Sequence, residues 1–68
     1  MKLKIDKDAD ALYLRLDDSA IVESEEVQPG VVLDFDSEKR VVGVEFLGIS
    51  KRVGFKNLNS FLFESNLA

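Results

Sequence analysis

The most numerous side chains that could do chemistry in this 68-residue chain are its 13 carboxylates. Asp6-x-Asp8-x-Asp10 sets three of them at alternate positions, the spacing with which a calcium loop begins to wrap a hard cation. The match then stops. The sixth position of such a loop would be Ala11 where glycine is needed, and the twelfth would be Asp17 in place of glutamate. Residues 11–16 moreover already alternate as a strand, so these aspartates read as a solvated hairpin loop. A second set, Asp34, Asp36 and Glu45, falls on one side of an alternating hairpin. Paired carboxylates can perform acid and base work when burial separates their pKa values, and such a set can also hold a metal or a small ligand. Acidic residues on the polar side of a hairpin also follow from alternation alone. No residue is therefore assigned as catalytic, cofactor-binding or metal-ligating. The chain has no histidine and no cysteine, which removes the commonest general base, the commonest metal ligand, thiolate sites and disulfides. Serines without a base and lysines without an apolar pocket leave covalent catalysis no apparatus, and the expectation is a protein that is not an enzyme and uses no cofactor.

The elements that must carry these residues are mostly strands. Leu3 and Ile5 alternate, as do Leu12, Leu14 and Leu16, and setting Asp6 against Ala11 brings Ile5 opposite Leu12 and Leu3 opposite Leu14. Tyr13 falls beside Lys4 on the other face, either as an interface aromatic or as cross-strand packing. After the polar turn Asp17-Asp18-Ser19, residues 21–27 make a weaker third strand, edge-like in its glutamates. Val22 opposite Leu16 would put Arg15 beside Glu23. Gln28-Pro29-Gly30-Val31 suits a type II turn, with proline presetting φ and glycine accepting a positive one. Val31, Leu33 and Phe35 then alternate before Ser37-Glu38-Lys39-Arg40, and Val42, Val44 and Phe46 alternate after it. Pairing Phe35 with Val42, Leu33 with Val44 and Val31 with Phe46 satisfies both strands and leaves Glu38-Lys39 as a two-residue connection with Lys39 at positive φ. On the opposite face Val32, Val41 and Leu47 exceed what solubility needs and make that face a candidate for a helix or a second subunit. Residues 48–56 read as irregular chain. Leu58, Phe61 and Leu62 then recur at helical spacing behind Asn57 as N-cap, with a sixth strand through Phe61 and Phe63 as the rival.

The expected architecture is α+β, mostly β: a small antiparallel meander sheet of four to five strands with a short C-terminal helix. Residues 1–68 form a single domain, with 1–47 as the sheet and 48–68 as an irregular segment followed by the helix. A chain this short buries only ~60% of its unfolded surface, so self-association is the expected supplement to stability. The net charge is −4, with residues 1–50 carrying 6 basic and 12 acidic side chains. An acidic body repels phosphate backbones, which argues against a nucleic-acid partner. No apolar run approaches the ~20 residues that span a bilayer, and residues 1–6 alternate instead of forming a signal-peptide core, so neither membrane insertion nor secretion is expected. The chain reads as cytoplasmic.

Ala11-Leu12-Tyr13 after an acidic first loop, the Pro29-Gly30 turn, Leu33-Asp34-Phe35-Asp36 and Gly43-Val44-Glu45 followed by Ser50 together resemble the small prokaryotic proteins grouped as domain of unknown function 2283. The resemblance covers roughly residues 1–52. One departure is the second hairpin turn, which in that group usually ends Asp-Gly and here holds Glu38-Lys39. The resemblance brings no catalytic residue or cofactor. It implies a short stand-alone cytoplasmic protein and, since some members are encoded beside small toxin-like proteins, a partner or antitoxin role. The function expected is a protein-interaction module that self-associates as a homodimer, with acidic metal or small-ligand binding through Asp34, Asp36 and Glu45 as the alternative.

Overall fold

Alternation sets the first hairpin as the leucines require. In the computed structural model, which describes residues 1–54, β1 (Lys2–Asp6) pairs antiparallel with β2 (Ala11–Arg15), with Leu3 opposite Leu14, Ile5 opposite Leu12 and Asp6 opposite Ala11. The acidic loop between them is a turn. Asp6 Oδ1 accepts the Ala9 N–H at 3.1 Å, and Asp10 takes a φ of 52°, a left-handed conformation that aspartate tolerates better than most residues.

The Pro29-Gly30 turn joins β3 (Glu23–Gln28) to β4 (Val31–Phe35), and Gly30 supplies the positive φ, 80°, that the third position of a type II turn demands. One irregularity, between Glu26 and Gln28, leaves Val27 unpaired as a bulge. β4 then pairs with β5 (Val41–Leu47), with Val31 opposite Phe46 and Leu33 opposite Val44 as expected. The expected Phe35–Val42 pair is replaced by Phe35–Val41, a shift at the end of the ladder. Its cause is the connection. The Lys39 N–H donates to Asp36 O and the Asp36 N–H to Arg40 O, each at 3.0 Å, so the loop is the three residues 37–39 and not Glu38-Lys39 alone. Lys39 holds the one positive φ of that loop, 64°, which matches a type I turn followed by a left-handed residue.

The five strands of the described residues form one open antiparallel sheet in the order β1-β2-β5-β4-β3. Each side is a meander of its own, but β5 sits between the two hairpins and pairs with β2, with Leu14 opposite Val44 and Leu12 opposite Phe46. The Val22–Leu16 pairing expected from sequence therefore does not form. The Leu16 N–H donates to Val42 O and the Val22 N–H to Phe35 O, so the segment after β2 crosses to the far edge of the sheet. Arg15 meets no Glu23; its guanidinium donates to the carbonyls of Asp17 and Ser19 and fastens that crossing.

Residues 49–53, read from sequence as irregular, form α1 (Ile49–Val53), a single turn of helix after Gly48. It lies at the end of β5, tied to the β1–β2 loop through Ser50 and to the Pro29 carbonyl through Arg52 Nη2 at 2.9 Å. The helix expected behind Asn57, and its rival strand, fall outside the described residues. Core residues are few: Ala11, Val31, Val42 and Ile49 are the buried apolar side chains among those described.

Candidate functional site

On the face of the sheet opposite the leucines, Tyr13 projects from β2 and reaches across β5 to β4. Its hydroxyl donates to Asp34 Oδ2 at 2.8 Å, and Ser24 of β3 donates to Asp34 Oδ1 at 2.6 Å. The side chain passes over Gly43, which stands opposite both Arg15 and Asp34. A Cβ at 43 would lie 2.9 Å from Asp34 Oδ2 and 3.1 Å from Tyr13 Cζ, and nearer still to the hydroxyl. Only glycine leaves that corridor open. Burial, and next the Asp34 carboxylate, push the Tyr13 phenol above its ordinary value. Beside the ring, Lys4, Asp6, Ala9, Ala11 and Glu45 complete a shallow depression of about 260 Å³.

The three carboxylates singled out in the sequence do not converge. Asp34 and Glu45 share this face, but both oxygens of Asp34 are occupied by Tyr13 and Ser24, and Glu45 stands opposite Val32 and Tyr13. Asp36 leaves the face altogether. It is 3% exposed, the only buried charged residue among those described, and accepts the N–H groups of Glu38 and Arg40 at 2.9 Å each and Arg40 Nε at 3.0 Å. Alternation placed it outward; the turn instead rolls it inward, because a short carboxylate can satisfy amides that the tight loop leaves unpaired. The Arg40 amide above all holds its carboxyl below the usual aspartate range. No group of three or more His, Cys, Asp or Glu able to hold a metal occurs among the described residues.

Asp10 was read as part of a solvated loop, and its true partners lie 40 residues away. It accepts the Ser50 N–H on Oδ1 at 3.0 Å and the Ser50 hydroxyl on Oδ2 at 2.8 Å, while its carbonyl takes the Ile49 N–H at 3.0 Å. A carboxylate at the first turn of α1 satisfies amides that a helix start leaves open. No local spacing could have shown a contact of that range.

Compared with protein families, residues 2–50 match the family described as Protein of unknown function (DUF2283). The chain belongs to this family. The match begins at the first residue of β1 and ends at Ser50, so the DUF2283 segment holds all five strands, the Tyr13–Asp34–Ser24 chain and the Asp10–Ser50 clamp. The rest of α1 lies beyond it. Comparison with curated proteins and with solved structures gives no match.

Proposed function

We propose that this DUF2283 domain is a protein-interaction module that self-associates as a homodimer through the leucine face of its sheet. One observation supports the reading before any other. Two apolar rows cross four strands, Leu3–Leu14–Val44–Leu33 and Ile5–Leu12–Phe46–Val31, and no helix among the described residues lies across them. Most of these side chains stay partly exposed, Leu3 at 39%. A contiguous apolar face of this breadth marks an interaction surface. A second copy suits it because an apolar surface complements itself across a two-fold axis, and a chain this small gains the burial its own core lacks. Val32, Val41 and Leu47, the patch expected from sequence, offer less: Val41 is turned by the shift at Phe35 and Leu47 lies at the opposite end of β5.

The alternative of a metal or small ligand held by Asp34, Asp36 and Glu45 has less behind it, since the carboxylates of Asp34 and Asp36 are spent on hydrogen bonds within the sheet and its turn. A partner or antitoxin role toward a small protein encoded nearby would use the same surface. No helix among the described residues is long and apolar enough to cross a membrane, and a cytoplasmic setting belongs to this proposal.

Light scattering across micromolar concentrations tests it. The parent should show a dimer mass, and Leu3→Lys at the rim or Val44→Lys at the centre should shift it to monomer with the β-sheet circular dichroism retained. A monomer mass for the parent throughout that range rejects the reading.

A further inference from the structure

Among the described residues β3 is the last strand of the sheet, and all six of its residues are exposed. Its ladder runs on one side only. The Leu47 N–H donates to Gly30 O, so Gly30, Val32 and Asp34 bond toward β5 while Val31, Leu33 and Phe35 bond toward β3; the amides of their partners Glu25 and Glu23 therefore point inward, and those of Ser24 and Glu26 point outward. No described residue pairs with that outer row. Natural edges are usually blunted by lysine, proline or bulges. Here the bulge at Val27 comes at the far end, and Glu23, Ser24, Glu25 and Glu26 keep a regular register against β4.

The chemistry beside this edge is specific. Glu23 stands opposite Phe35 and Glu25 opposite Leu33, so their side chains share a face with the Phe35 ring. Together with Lys39 they line a depression of about 240 Å³. Its walls are two carboxylates and an aromatic ring against one ammonium, and Glu26 adds a third carboxylate on the other face. None of the three glutamates forms an ion pair with a described residue. The opposite edge of the sheet is different in kind, for β1 carries Lys2 and Lys4.

We infer that the outer edge of β3 takes an extended segment of a partner protein, bearing lysine or arginine at alternate positions, as a sixth antiparallel strand. Backbone amides and carbonyls of Ser24 and Glu26 supply the ladder. Alternate basic side chains enter the depression, where the carboxylates meet the charge and Phe35 meets the alkyl stem or the cation itself. Charge selects this occupant over a second β3: pairing two copies edge to edge would align glutamates with glutamates. The acidic body, with twice as many acidic as basic residues over 1–50, also steers a basic segment toward it. The ladder runs along the sheet edge, and the depression adjoins the leucine face at Leu33.

The test is fluorescence anisotropy of the full chain with a labelled hexapeptide holding lysine at alternate positions and threonine or valine between. Three comparisons decide it: a peptide with glutamate in place of lysine, a peptide N-methylated on alternate amides, and the Glu23→Lys, Glu25→Lys and milder Glu25→Gln proteins. Binding should weaken about tenfold or more with the doubly reversed protein, and vanish with the acidic and the methylated peptides. Amide exchange of Ser24 and Glu26 should slow on binding. Absence of binding, equal binding of the methylated peptide, or protection appearing on β1 in place of β3 would each overturn the inference. Circular dichroism of the glutamate variants separates lost binding from lost folding.

Discussion

Tyr13 is the only tyrosine and the chain has no tryptophan, so its ionisation can be followed by ultraviolet absorbance without interference. Burial and the Asp34 carboxylate both favour the neutral phenol, and the titration midpoint should lie above the ordinary value of about 10. Asp34→Ala removes the acceptor and its charge, and should bring the midpoint down toward that value; a parent midpoint at or below 10 contradicts the geometry. Asp36 runs the other way. With its folded pKa below the unfolded value of about 3.9, it adds stability that is fully present above that value and is lost as pH falls through the lowered one. Asp36→Asn should therefore lower the urea midpoint at pH 7, with the parent and variant curves converging in acid. Parallel curves would show that the charge of Asp36 does not matter. Two aspartates two residues apart in one strand pattern had looked alike. Alternation reads Asp34 correctly because β4 still governs it, and misreads Asp36 because the turn has already taken over the backbone.

The hairpin between β4 and β5 was legible in its centre and not at its end. Cross-strand pairs of valine, leucine and phenylalanine determine the register through Leu33 and Val44, but the loop length decides the last pair, and nothing in the apolar pattern distinguishes two loop residues from three. Positive φ at Lys39 was expected from a two-residue turn and occurs in a three-residue one. Its consequence is unchanged. A side chain at φ 64° carries a steric cost that glycine avoids, and Lys39→Gly should stabilise the fold by ~0.5 to 1 kcal/mol despite added freedom in the unfolded chain. Urea denaturation at unchanged slope checks this, and a lower midpoint contradicts it. α1 was invisible for a different reason: five residues make barely more than one turn, too few for an apolar period, and its tether to Asp10 is remote in sequence.

At the scale of the molecule, the strands themselves were readable and their neighbours were not. Period-two alternation reports which residues share a face and is silent about which strand lies alongside, so β3 was set against β2 while the sheet places β5 there. The Pro29-Gly30 turn held part of the clue. It commits β3 to one side of β4 and the following hairpin commits β5 to the other, so β2 could add at the free edge of either β3 or β5, and the sheet takes β5. The same order dictates how the chain is assembled as it is made. The β1–β2 and β3–β4–β5 units close through contacts near in sequence, whereas the β2–β5 ladder joins Ala11 to Leu47 and must await β5. Until β5 leaves the ribosome, β2 is a leucine-rich edge with nothing beside it, the kind of surface through which nascent chains associate wrongly. A pause in translation before residue 41 would prolong that exposure, and the closing strand that completes the sheet is also what protects its beginning.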